Sequence, residues 1–99
     1  MSKIKGIVAR NASELAEALG FTPAEGLEIK IRSNLNDNII AVVQKKGLTH
    51  AQVAKLAGTS RTRITALMNR NTKEISTDLM LRILASLGVQ AKIVFQRAA

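Results

Sequence analysis

Leu48-Thr49-His50-Ala51-Gln52-Val53-Ala54-Lys55-Leu56-Ala57-Gly58-Thr59-Ser60-Arg61-Thr62-Arg63-Ile64-Thr65-Ala66-Leu67-Met68-Asn69 is the stretch that decides the fold. It reads as two short helices, Thr49 to Ala57 and Ser60 to Asn69, joined by a tight turn. Each opens on a hydroxyl residue able to accept a bond from a backbone N–H that has no partner within the helix. Gly58 stands where the first helix must stop with positive φ, a conformation that strains glycine little. Ala54 lies where two steeply crossing helix axes would come closest, so only a small side chain fits there. Val53, Ile64 and Leu67 face inward and lock the pair together. Several matches at the required offsets are far more specific than any one of them.

An ordinary αα-hairpin inside a bundle also wants Ala, Gly and Ser near a tight turn. The outward face of the second helix separates the two readings. Arg61, Thr62 and Thr65, with Arg63 to one side, give that face hydrogen-bond donors and no acids, as a helix lying in the major groove of DNA requires.

Downstream, Ser76 to Leu87 reads as a helix with Leu79, Ile83, Leu84 and Leu87 on one face and Gly88 just past its end. Val89 to Gln96 then alternates, with Val89, Ala91, Ile93 and Phe95 on one side, which predicts a strand. Upstream, helix is clear from about Leu35, where Ile39, Ile40, Val42 and Val43 form a buried face and Lys45-Lys46-Gly47 supplies a basic end and a stop. Leu27-Glu28-Ile29-Lys30-Ile31-Arg32 is ambiguous. It alternates like a half-buried strand, yet Leu27, Ile31, Leu35 and Ile39 also keep helical spacing; strand or a broken helix is the favoured reading. Thr22-Pro23-Ala24-Glu25 matches a capping box with proline at the first helical position. Before it, Asn11 or Ser13 can cap a short helix through Leu15, Ala16, Ala18 and Leu19 that ends at Gly20.

The expected class is therefore mainly α: a helix-turn-helix bundle with a short C-terminal strand, paired with a segment near 27–32 or across a dimer. Residues 1–33 form an N-terminal extension with a short helix, and residues 34–99 the helix-turn-helix domain. Ninety-nine residues suit one packed unit rather than two independent cores.

Charge points the same way. Fifteen Lys and Arg against seven acids leave +8, and strongly basic domains usually meet a polyanion. Residues 1–32 carry five bases and four acids (+1), whereas residues 33–99 carry ten bases and three acids (+7). The excess thus accompanies the two-helix motif.

Other classes fit poorly. Cysteine is absent, which removes disulfides, thiolate metal sites and cysteine nucleophiles and suits a reducing compartment. No Gly-rich phosphate loop and no His or acidic cluster with metal-ligand spacing is visible, so neither an enzyme nor a bound cofactor is expected. Two Phe and no Trp or Tyr leave few platforms for stacking the bases of single-stranded RNA. No apolar run approaches the roughly 18 to 20 residues that span a bilayer, and Met1-Ser2-Lys3-Ile4-Lys5-Gly6 lacks a signal-peptide core, so a soluble cytoplasmic protein is expected.

Residues 35–87 resemble the lambda-repressor and Cro type of helix-turn-helix, the XRE family. The pattern Leu-Thr-x-x-x-Val-Ala-x-x-x-Gly-x-Ser-x-x-x-Ile-x-x-Leu-x-Asn carries the resemblance. The broader layout is similar to the HigA-type antitoxins of that family, through Ala18-Leu19-Gly20-Phe21-Thr22-Pro23 and Ile75-Ser76-Thr77-Asp78-Leu79. The resemblance implies that Arg61 and Thr62 open the recognition helix and touch base edges, with Thr65 one turn on, and that Asn69 binds phosphate. Arginine can bind guanine bidentately, and threonine adds hydroxyl bonds and methyl contact to thymine. The chain departs from the family at His50, where Gln is usual, and at Arg70, where Gly is common. His50 can keep a phosphate role through an imidazole N–H. Further phosphate anchors are Thr49 with the N–H groups that open its helix, Arg63, Arg70 and Lys73.

One such module reads only a few base pairs, so half-sites about 34 Å apart call for a homodimer. The last helix and the 91–96 segment are the available glue. The resemblance also implies a repressor of its own operon that doubles as an antitoxin and binds a small toxin protein; a repressor without a toxin is the alternative.

Overall fold

The computed structural model describes residues 19–20, 22–92 and 94–95. Among them are four helices: α1 Pro23–Lys46, α2 His50–Ala57, α3 Arg61–Met68 and α4 Thr77–Ser86. The chain divides into two units, Met1–Asn34 and Leu35–Ala99. The short helix expected before Gly20 lies outside the described residues apart from Leu19.

α1 begins as its sequence suggests. The Glu25 N–H donates to Thr22 Oγ1 (3.1 Å), and Glu25 Oε1 accepts in return from the Thr22 N–H (2.7 Å). Two otherwise orphan donors are thus satisfied reciprocally, and Pro23 loses nothing at a position whose N–H would have no helical partner. From there the helix runs unbroken for 24 residues, about 36 Å at 1.5 Å per residue.

Residues 27–32 are accordingly helical, which corrects the favoured reading of strand or broken helix. Their alternation is real, but it coincides with the 3.6-residue spacing of Leu27, Ile31, Leu35 and Ile39. The capping box sets helical dihedrals immediately upstream, and no Gly or Pro interrupts the run into Leu35. Elongating an existing helix costs far less than nucleating one.

The second unit is built around a single apolar cluster. Leu35, Ile39 and Val43 supply the stripe of α1 at four-residue spacing. Val53, Ala54 and Ala57 come from α2, Ile64 and Leu67 from α3, and Leu79, Met80, Ile83 and Leu84 from α4, with Ile75 and Leu87 at its edges. Ile39, Val53, Ile64, Leu67, Met80 and Ile83 are completely inaccessible. Each such side chain contributes roughly 1.5–3 kcal/mol of transfer free energy. All the core comes from aliphatic residues and one methionine, as a chain nearly devoid of aromatics requires. α2 sits at the centre, packed against both α3 and α4.

The three short helices begin where the hydroxyl residues predict. Thr49, Ser60 and Ser76 are the N-caps, their oxygens accepting from the N–H groups of Gln52, Arg63 and Leu79. Thr49 forms a full capping box, because its own N–H donates to Gln52 Oε1 at 2.8 Å. α2 stops at Gly58, whose φ of +68° turns the chain toward Ser60.

The C-terminal segment does not carry the expected strand among its described residues, 89–92 and 94–95. A strand needs a neighbouring ladder for its N–H and C=O groups, and the partner proposed near 27–32 is helical. Val89 instead closes off α4, donating its N–H to the Leu84 carbonyl at 3.0 Å. Val94 and Phe95 are exposed. Ile93 and Gln96 lie outside the described residues.

Candidate nucleic-acid interface

α3 sorts its side chains cleanly by direction. Ile64 and Leu67 point into the core, while Arg61, Thr62, Arg63 and Asn69 are exposed and Thr65 is half-buried. Arg61 and Thr65 are four residues apart, Thr62 and Thr65 three, and Thr65 and Asn69 four, so these residues share one face of the helix. The face offers a guanidinium, two hydroxyls and, at the C-cap, an amide. No acid lies within α3.

Rigidity is the next requirement, since base reading depends on where a side chain starts. Ser60 caps one end of α3, its Oγ accepting from the Arg63 N–H at 3.2 Å. At the other end Asn36 of α1, itself buried, donates from Nδ2 to the Leu67 carbonyl at 3.0 Å. Asn69 closes the helix as C-cap and donates its N–H back to the last turn. Both ends are therefore held, and the apolar face is fixed by the core.

The start of α2 adds an anion-compatible surface. Its first N–H groups lack helical partners and the helix dipole is positive at that end. Thr49 Oγ1 accepts from the Gln52 N–H (3.1 Å), which occupies a lone pair and leaves the hydroxyl hydrogen to donate. His50 is the first residue of α2 and half-buried, and its Nδ1 lies 2.9 Å from Thr65 Oγ1. The structure thus joins a residue expected at a phosphate to one expected at a base.

The other basic residues are arranged less uniformly. Arg70 lies just beyond α3 with φ +60°, the left-handed conformation that explains why a glycine would suit the position. Its guanidinium pairs with the Asp37 carboxylate of α1. Arg63 borders a shallow groove between the α2–α3 turn and α4, shared with Thr59, Glu74, Asp78 and Arg82. Asp37 thus engages the Arg70 guanidinium, whereas Arg63 only shares its groove with Glu74 and Asp78. Lys73 is exposed in the loop before α4.

Three participants were not singled out from sequence. Gln52 was visible as the last residue of a Thr-x-x-Gln box. Asn36 carried a subtler signal, a polar residue inside the stripe Leu35, Ile39, Ile40, Val43. Asp37 carried none, because its partner lies 33 residues away.

Among the described residues no helix is long and apolar enough to cross a membrane, and no group of three or more His, Cys, Asp or Glu is placed to hold a metal ion. No curated protein and no solved structure matches the sequence significantly. A family described as "Helix-turn-helix domain" does match, over residues 14–96. That span takes in the motif, all four helices and their caps, so the chain belongs to this helix-turn-helix domain family, and membership points to a DNA-binding regulator.

Proposed function

We propose that the protein is a sequence-specific, double-stranded-DNA-binding transcriptional repressor of XRE type. The observation that carries this reading is the acid-free stripe Arg61, Thr62, Thr65, Asn69 on a helix held at both ends. In this reading α3 enters the major groove. Arg61, Thr62 and Thr65 read base edges, and Thr49, His50 and Asn69 position the module on phosphates, joined by Arg63, Arg70 and Lys73 at the flanks.

The protein acts as a homodimer, because two modules on half-sites about 34 Å apart multiply a weak preference into a useful one. The exposed Leu81 of α4 and the exposed Val94 and Phe95 are apolar surface that a contact between copies would cover. A strand formed by the C-terminal segment across the two-fold axis would give its alternation a partner. The likeness to HigA-type antitoxins supports a second role, neutralising a small toxin protein, with the repressor serving its own operon.

Enrichment of sequences from a random double-stranded DNA library by the full-length chain tests the central reading. A two-fold symmetric consensus is expected, and uniform recovery of all sequences would defeat it. Adding the product of the neighbouring gene in a gel shift on the protein's own upstream DNA tests the toxin partnership: a slower-migrating or dissociated complex supports it, and no change counts against it.

A further inference from the structure

His50 and Thr65 belong to different helices, yet Nδ1 of one lies 2.9 Å from Oγ1 of the other. A threonine hydroxyl has one hydrogen and two lone pairs, and in a neutral imidazole one ring nitrogen bears a hydrogen while the other accepts. For the neutral ring two arrangements satisfy the distance. Either the hydroxyl donates to Nδ1 and Nε2 bears the ring hydrogen, or Nδ1–H donates to Oγ1 and Nε2 presents a bare lone pair. A phosphate oxygen, which only accepts, can bind Nε2 in the first arrangement and is repelled in the second.

We propose that, with the start of α2 seated on the DNA backbone, His50 holds Thr65 as a hydrogen-bond acceptor toward the bases, so that Thr65 selects a base with a major-groove amino group, adenine or cytosine. This rests on the DNA-binding reading above and deepens it. Adenine N6 and cytosine N4 are the major-groove donors, whereas guanine N7 and O6 and thymine O4 only accept. A threonine whose hydroxyl rotates freely serves either kind. Once its hydrogen is committed to Nδ1, the hydroxyl meets guanine or thymine acceptors with a lone pair and is repelled.

The neutral imidazole is what makes the coupling obligatory; a ring with hydrogens on both nitrogens would leave the Thr65 hydrogen free. A glutamine amide carries its donor and acceptor on separate atoms and can rotate to suit each partner. In the neutral histidine ring a single hydrogen is shared between two nitrogens, so the partner of one fixes the state of the other. A backbone contact, which carries no sequence information by itself, thereby sets the polarity of a base contact.

The test uses the full-length chain, its Thr65→Val, Thr65→Ser, His50→Ala and His50→Gln variants, and a random double-stranded DNA library. The base pair whose preference disappears in Thr65→Val is the Thr65 position. Wild type is expected to favour adenine or cytosine there on one strand. Replacing that base by its analogue without the amino group, purine for adenine or 2-pyrimidinone for cytosine, is expected to weaken binding roughly five- to tenfold. Thr65→Ser keeps the preference. His50→Ala and His50→Gln lose it, accept guanine or thymine at that position, and respond less than about twofold to the analogue; the second variant preserves a polar side chain should the first fail to fold. A wild-type preference for guanine or thymine, no position that depends on Thr65, or an unchanged amino preference in both His50 variants overturns the proposal while DNA recognition stands. A wild-type chain that enriches no sequence overturns both.

Discussion

Asn36 of α1 donates its side-chain amide to the Leu67 carbonyl at the end of α3, across 31 residues of sequence and inside the core. It is the one buried polar side chain among the described residues. The bond ties α3 to α1, and its loss exposes an imbalance that water cannot correct. Asn36→Ala is expected to destabilise by about 1–3 kcal/mol, measured by urea denaturation. Asn36→Asp should cost more, because a carboxylate sets an acceptor against the carbonyl and buries a charge. Equal stability of wild type and Asn36→Asp would show that the amide hydrogen bond does not hold the helix.

Gly58 ends α2 at φ +68° with open space where a Cβ would stand. The cost of Gly58→Ala is therefore conformational rather than steric, about 1–2 kcal/mol. Gly58→Asn should cost less than Gly58→Ala, since asparagine tolerates the left-handed region better. A thermal-melting series that ranks alanine above asparagine would point to some other demand at the turn.

Where the chain was legible, the signal was local. Thr49, Ser60 and Ser76 each announce a helix within three residues of the N–H they cap, and Gly58 closes α2 by its own backbone preference. The buried face of α4 followed from spacing alone, although Met80, completely inaccessible, was not included. Residues 27–32 were misread because six residues of apolar and charged alternation satisfy both periods at once, and only the context from Thr22 to Leu35 resolves them. The partner of Asn36, the Asp37–Arg70 pair and the His50–Thr65 contact were invisible for a different reason. Each is a relationship between residues 15 to 33 positions apart, created by packing. That the outer face of α3 is exposed and free of acids was readable in advance, whereas which of its members restrain one another was not.

Ala54 is buried on α2, the helix that touches both α3 and α4. Ala54→Leu forces three extra carbons into that contact, with an expected loss of about 1–3 kcal/mol or more and a misaligned α3. Specific DNA binding should fall further than stability alone explains. A variant that melts normally would remove the close-approach explanation for the alanine.

Arg70 combines a left-handed backbone with an exposed ion pair to Asp37. Arg70→Gly relieves about 1–2 kcal/mol of backbone strain and forfeits about 0–1 kcal/mol of surface pairing, so stability should hold or rise. If the guanidinium also reaches a phosphate, the same variant lowers the salt dependence of DNA binding by about one unit of slope. Asp37→Asn removes the competing carboxylate and should tighten binding at low salt. Unchanged affinity and slope in both variants would confine Arg70 to the protein surface.

Arg61 and Thr62 open α3, exposed and adjacent, whereas Lys73 lies in the loop before α4. The two groups should fail differently. Arg61→Ala and Thr62→Ala are each expected to weaken binding to the enriched sequence by about 1–3 kcal/mol and to leave random DNA nearly unaffected, because a base contact discriminates among sequences. Lys73→Ala should weaken both by a similar factor and flatten the salt slope by about one unit, because a phosphate contact does not discriminate. Titrations of the two DNAs at several salt concentrations separate these outcomes. Equal losses on both DNAs for Arg61→Ala would move that arginine from the bases to the backbone. Base recognition at the start of α3 would then rest on Thr62, with Thr65 one turn further in.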